Sequence, residues 1–340
     1  MILSRRPFSL RRFLILLAAS LASLTATIFY FTTQPSTSFA TESRDSHFGT
    51  KHDSELPTRL EQHVRTIVTQ FAPRDHTSIA QLHAASEYIR IEFARHSADV
   101  SFQSYQVSGR DYRNVIARFG PDTKDVIVIG AHYDSYDKLP AADDNASGVA
   151  GLIELARSLA QAKPTKRVEL VAYTLEEPPY FRTEFMGSAI HAKSIKAAGK
   201  QVSLMLSLEC IGYFSDEPNS QEFPIAALKA FYPTTGNFIA LVGNYKDGAL
   251  AKRVRETMRI ATPLPVYSIN APSIVTGVDF SDHLNYWNEG FVGMMVTDTA
   301  FMRNKNYHTQ NDTPEKLDYQ RMADVVRAVS AVVRSEAKLD

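Results

Sequence analysis

The sequence predicts an α/β fold: a three-layer αβα sandwich around a mostly parallel mixed sheet, in one domain. Two observations carry that prediction. From about residue 58, apolar segments of strand length alternate with segments of helical period. Several of the strand-like segments also end directly in residues that can bind a cation or move a proton. Ligand sites of open α/β sheets lie there, beyond the carboxyl ends of the strands.

Residues 1–34 stand apart from this pattern. Arg5, Arg6, Arg11 and Arg12 precede an uncharged stretch from Phe13 to Thr41. Its apolar part, FLILLAASLASLTATIFYF, is long enough to span a bilayer as a helix. It reads as a signal peptide or an uncleaved signal anchor. The arginines stay in the cytoplasm under the positive-inside rule. The rest is then expected to be exported, periplasmic or extracellular, either anchored in the membrane or released by cleavage. Residues 35–57 are polar and read as a linker.

The catalytic domain is expected over 58–340. RLEQHVRTIVTQFA and IAQLHAASEYIRIEFARH carry apolar residues at helical spacing. SFQSYQV and NVIARFG read as strands, and DVIVIGA as a strand covered on both faces. ASGVAGLIELARSLAQA places Val149, Ile153, Ala156 and Leu159 on one helical face. RVELVAYTL is a strand, GSAIHAKSIKAAG a helix, VSLMLSLE a strand, ALAKRVRETMRIA a helix and VGMMVTDT a late strand. The last helix is expected to open at DTPE, with Asp312 or Thr313 as its cap and Pro314 in its first turn. Met322, Val325, Val329 and Val332 form its buried stripe. Residues 214–236 hold Pro218, Pro224 and Pro233 and read as an insertion loop near the site.

Composition narrows the function classes. The 37 Lys and Arg balance the 37 Asp and Glu. A net charge of zero gives no basic face for nucleic acid. Cys210 is the single cysteine, so an internal disulfide is excluded, and it reads as a small buried apolar residue.

The chemistry gathers at strand ends. VIVIGA runs into His132, with Asp134 two residues on, and Asp143-Asp144 follow before Asn-Ala-Ser-Gly. RVELVAYTL runs into Glu176-Glu177, VSLMLSL into Glu209, and Tyr307-His308 follow the late strand. Each has a plain alternative. A carboxylate before a helix caps it; adjacent glutamates are usually solvated. His283, beside Asp282, competes with His308 as a ligand. His63, His83, His96 and His191 fall in helical segments and read as surface residues. Taken together, the strand-end groups offer the nitrogen and oxygen donors that suit a divalent cation such as zinc.

The ordered blocks GAHYDS, ADDNASG, LEEPPYFRTEFMGS, LECIGY and SDH…DTAF…YHTQNDTPEKLD resemble the co-catalytic two-zinc aminopeptidases over about residues 58 to 335. The relevant members are bacterial leucyl aminopeptidase-like enzymes, aminopeptidase S and aminopeptidase Y. The resemblance implies two Zn2+ per chain, peptide substrates and hydrolysis of N-terminal residues. It makes His132 a terminal ligand of one zinc, with Asp134 orienting its ring. Asp144 bridges both ions and Asp143 does not ligate. Glu176 is the general base, and Glu177 and His308 hold the second zinc. Glu209 stands where the family most often has Asp, one methylene longer. His283 is left an outer role at most. Tyr180, Tyr213 and Tyr267 are candidates for the substrate pocket, with packing the commoner role for each. Three other readings share the scheme or the fold: a glutaminyl cyclase-like single-zinc acyltransferase, a non-catalytic extracellular binding module, and a carboxypeptidase or aminoacylase.

Overall fold

The computed structural model describes residues 10–33 and 53–338. Helices α2 (Leu56–Phe71) and α3 (Ile79–Ala94) precede a hairpin of β1 (Asp99–Val107) and β2 (Arg110–Phe119). Ser108 and Gly109 turn it, both with positive φ (51° and 76°), as a two-residue hairpin of right-handed twist requires. Then come β3 (Asp125–His132), α4 (Gly148–Leu159), β4 (Arg167–Tyr173), α5 (Gly187–Ala197) and β5 (Gln201–Glu209). β6 (Ile239–Gly243), α6 (Gly248–Ala261), β7 (Val266–Asn270), α7 (His283–Asn288), β8 (Met294–Thr297) and α8 (Tyr319–Glu336) complete the domain.

The strands form one eight-stranded sheet in the order β1-β2-β4-β3-β5-β8-β6-β7. Its centre, β4-β3-β5-β8, is parallel. The β1-β2-β4 margin and the β6-β8 pair are antiparallel. β3 shows why its sequence is a continuous apolar run. Ile127 and Ile129 pack in the large core that also holds residues of α2, α3, α4, α6 and α8. Val126 and Val128 face the other way, toward Ala192 and Ile195 of α5 and Tyr286 of α7. Gly130 allows β4 to approach: a Cβ there would lie 2.1 Å from the Tyr173 ring.

Several expectations need correction. β6, β7 and α7 were not anticipated from the sequence. Each spans only five or six residues, too short for a period to declare itself. α8 begins at Tyr319 rather than at DTPE, and its cap is Asp318, whose side chain accepts from Arg321 N. Pro314–Lys316 form a separate short turn. The stripe of Met322, Val325, Val329 and Val332 is buried as expected.

His63 and His191 are buried rather than on the surface. His63 faces Glu154 at 3.2 Å and Tyr88 Oη at 2.7 Å. His191 faces Glu169 at 3.0 Å and Tyr286 Oη at 2.6 Å. Each helix thus carries a polar group inward because a buried carboxylate receives it.

The N-terminal apolar stretch forms helix α1 (Leu10–Thr33). Leu10, Leu14, Ile15, Leu16, Leu17, Leu21 and Leu24 are exposed on it. Among the described residues no helix is long and apolar enough to cross a membrane, so the expected anchoring gains no support. Arg5, Arg6 and most of the 35–57 linker lie outside the described residues.

The central strand should dominate stability. Ile129→Ala, at a fully buried position, is expected to cost about 2–5 kcal/mol in a urea unfolding titration.

Candidate metal centre

Three strands deliver the site by ending together. His132 closes β3 and Glu209 closes β5. β4 ends at Tyr173, and Glu176 and Glu177 follow after Leu175. Leu175, Cys210 and His308 all have positive φ (61°, 51° and 54°). Such non-glycine conformations cost energy and persist where surrounding structure imposes them. Here they turn the chain sharply at each strand end or ligand loop.

The residues that the resemblance assigned to metal binding come together as two clusters. His132, Asp144 and Glu209 form one; Asp144, Glu177 and His308 form the other. Asp144 belongs to both, through different oxygens. Its Oδ1 lies 3.1 Å from His132 Nε2 and its Oδ2 2.9 Å from His308 Nε2. Glu209 Oε2 is 3.4 Å from His132 Nε2, and Glu177 Oε1 is 3.3 Å from His308 Nε2. Glu176 sits beside the first cluster, with Oε2 3.9 Å from His132 Nε2.

Hydrogen bonds around the clusters set their geometry. Asp134 lies 3.5 Å from His132 Nδ1 and also accepts from the backbone N–H of Glu176 (3.2 Å) and Glu177 (3.1 Å). One carboxylate therefore positions a histidine and both glutamates. Ser281 Oγ donates to Glu209 Oε2 at 2.8 Å and is itself 2.8 Å from Ser207 Oγ. The His308 ring is sandwiched between Tyr136 (4.2 Å, 4°) and Tyr307 (3.9 Å, 12°).

The carboxylates before α4 do not cap it, since its N-cap is Ser147, whose side chain makes no capping bond. Asp143, in neither donor cluster, is a structural tie. It accepts from Gly212 N (3.0 Å) and Asn304 Nδ2 (2.9 Å). Asp312, proposed above as a helix cap, accepts from the backbone N–H of Asp143 (2.9 Å) and Asp144 (3.2 Å). Ser281, Asn304 and Tyr136 escaped the sequence reading, which gave Asp312 only a capping role. None sits in a spacing that signals its partner, because each reaches the site across the fold.

The electrostatics fit a cation. Burial pushes the Glu177 carboxyl up to about 8, with the Asp144 charge adding. Burial also raises Glu176 well above the usual carboxylate range. Asp144 goes the other way: burial opposes ionisation, but His132 and His308 outweigh it. His308 is raised to about 10 because Asp144 and Glu177 overcome its burial. The histidines thus take protons where the ion's charge is needed. His132 Nε2, Asp144 Oδ1, Glu177 Oε1 and His308 Nε2 are buried without a hydrogen-bond partner. Two sets of imidazole nitrogen and carboxylate oxygen, with orphaned buried atoms turned inward, suit zinc.

His283 takes no part in either cluster. Its Nε2–H donates to Val278 O at 2.8 Å, and its ring meets Trp287 edge-on. Tyr267 lines a pocket beside Glu209, whereas Tyr180 packs near His76 and Tyr112.

Burial lowers the His283 pKa to about 4, from 6.5 when exposed. The unfolded chain therefore takes up this proton first as pH falls. The stabilisation is full above pH 6.5 and is lost as pH drops through 4, on the order of 3 kcal/mol. NMR titration should show this imidazole neutral down to about pH 4. Urea titrations should show a shallower acid loss in His283→Asn.

Comparison with known proteins places this geometry. Residues 114–333 match the description Peptidase family M28. The Escherichia coli (strain K12) protein YfbL is 46% identical over 281 residues, covering 80% of this chain and 86% of YfbL. A probable leucine aminopeptidase of Arthroderma otae is 24% identical over 64% of this chain, which spans 55% of that relative. The zinc aminopeptidase BSAP from Bacillus subtilis shares the fold, with a TM-score of 0.64 at 13% identity, over 82% of this chain and 95% of BSAP. The chain belongs to peptidase family M28.

Proposed function

We propose that this protein removes N-terminal residues, preferentially large apolar ones, from peptides with two zinc ions per chain. The observation that carries the proposal is the division of Asp144, one oxygen toward each donor cluster. His132, Asp144 and Glu209 would hold one ion, and Asp144, Glu177 and His308 the other. Bound there, zinc supplies polarisation of the scissile carbonyl and an acidified water. Glu176, in neither cluster, takes a proton from that water on its carboxylate and returns it to the leaving amine nitrogen. Its raised affinity for protons, from burial and from Glu209 and Glu177, suits the return. Asp134 keeps Glu176 and Glu177 in their divided roles through their backbone N–H groups.

The amino-end preference rests on the similarity to aminopeptidases, and the side-chain preference on the pocket next to Glu209. Its volume is about 120 Å3, and Phe223, Leu228, Tyr267, Ile269, Met295 and Phe301 line it. A leucyl or phenylalanyl side chain fits such an apolar recess. The single-zinc cyclase reading is less favoured, because two donor clusters share one carboxylate.

The test is a panel of aminoacyl chromogenic substrates, with and without chelator and with zinc added back. Leucyl and phenylalanyl substrates should be cleaved fastest, and chelation should abolish turnover until zinc returns. One tightly held zinc with cyclase activity and no peptidase activity would refute the proposal. Glu176→Gln should keep its zinc content and lose about 10²–10⁴ in kcat. Ala240, on the pocket wall, offers a separate check. Ala240→Phe should lower leucyl turnover far more than alanyl turnover, read as the ratio of the two kcat/KM values.

A further inference from the structure

Behind the pocket lies a buried cation that the proposed reaction does not use. Arg303 is only 2% exposed. Its Nε donates to Gln221 Oε1 (3.0 Å), and its Nη1 to the carbonyls of Phe238 (2.9 Å) and Tyr213 (3.3 Å). The guanidinium lies over the Phe238 ring at 4.6 Å and the Phe214 ring at 5.7 Å. Burial pulls its pKa down to about 10, with Asp298 and Asp143 opposing, so it stays charged at neutral pH.

Gln221 and Phe214 belong to the insertion loop, Phe238 to the pocket wall, and Tyr213 to the turn that leads into the loop. Gln221, Phe238 and Thr299 all line the recess. Gln221 Nε2 also donates to Thr299 Oγ1 at 2.9 Å. The loop folds back on itself through Ser215 N to Gly236 O and Gln221 N to Thr234 O. Gly236 lies so close that an added Cβ would be 2.7 Å from Arg303 Nε. Elsewhere the loop is tied by Glu222 N to Met302 O (2.8 Å), by Tyr232 Oη to Ser268 O (2.8 Å), and by the Asp216–Arg321 and Glu222–Lys305 ion pairs. Its outer turn, Ala226–Ala230, buries no residue, and Ile225 and Phe231 are exposed. Yet Glu222, Phe223, Pro224 and Leu228, on that outer part, form one wall of the pocket.

We infer that Arg303 is the positioning residue of this wall: its fork to Gln221, Tyr213 and Phe238 sets the width of the pocket and so the choice of N-terminal side chain. The inference rests on the pocket being the side-chain subsite proposed above. Arginine is required because three acceptors from separate segments must be met by one planar fork, which an ammonium cannot match. Lysine would keep the charge that faces Asp298 and Asp143, leaving the Asp143 tie beside the metal centre in place.

The test uses Arg303→Lys and Gln221→Leu in the full chain. Hydrogen exchange should quicken at least tenfold at amides in 215–234 and stay unchanged in the central strands. The leucyl-to-alanyl ratio of kcat/KM should fall at least tenfold, through KM, with zinc content and kcat within twofold of the parent. Unchanged exchange in both variants would overturn the inference. So would loss of kcat and zinc with selectivity intact, because Arg303 would then serve the metal loop. If the parent cleaves no aminoacyl substrate, the proposed function fails, while the exchange data still decide whether Arg303 holds the wall.

Discussion

The structure depends on one constraint: the Asp144 carboxylate is buried between two histidines and must serve both. A carboxylate with 3% exposure cannot remain charged without compensation. His132 and His308 supply it on opposite oxygens, and Glu177 and Glu209 bring further carboxyl oxygens against the same two rings. The cluster is therefore built for cations. When protons stand in for them, they settle on the histidines, and the same atoms must release protons to bind metal.

That concentration of charge explains the surrounding carboxylates that bind nothing in the clusters. Asp134 and Asp312 spend their oxygens on backbone N–H groups, and Asp143 divides its two between the Gly212 N–H and the Asn304 side-chain amide. Each ties a ligand-bearing turn to another element. Asp134 links the end of β3 to the turn after β4, and Asp143 links the α4 approach to the turn after β5. Asp312 holds the peptide nitrogens of Asp143 and Asp144 from the loop that also carries His308. The left-handed residues Leu175, Cys210 and His308 lie in these tied turns. A network of fixed dipoles thus keeps the donor atoms in place.

The parallel strands make this convergence cheap. β3, β4 and β5 are neighbours running the same way, so their carboxyl ends arrive on one edge without a long excursion of the chain. The antiparallel β6-β8 pair and the insertion loop then build an apolar recess against that edge. Chemistry comes from the parallel half and the recess from the mixed half. Arg303 joins the two, because it is bonded to the loop and to Phe238 just before β6 and faces Asp298 and Asp143.

Local chemistry in the sequence was enough to predict the fold class and most strands, and the resemblance carried by its ordered motifs singled out the candidates His132, Asp134, Asp144, Glu176, Glu177, Glu209 and His308. Strand-length apolar runs that stop at charged residues are a one-dimensional signal, legible because period and burial follow from consecutive residues. The short strands β6 and β7 lacked that length, and His63 and His191 looked like surface groups because their carboxylate partners lie elsewhere in the chain. Tertiary structure alone decided that Asp312 holds a backbone turn instead of capping a helix. It also decided that His283 pairs with a carbonyl, and that Arg303 stands behind the recess. Each depends on a partner brought near by the folding of the sheet, and hydrogen bonds across such separations leave no spacing in the sequence to be read.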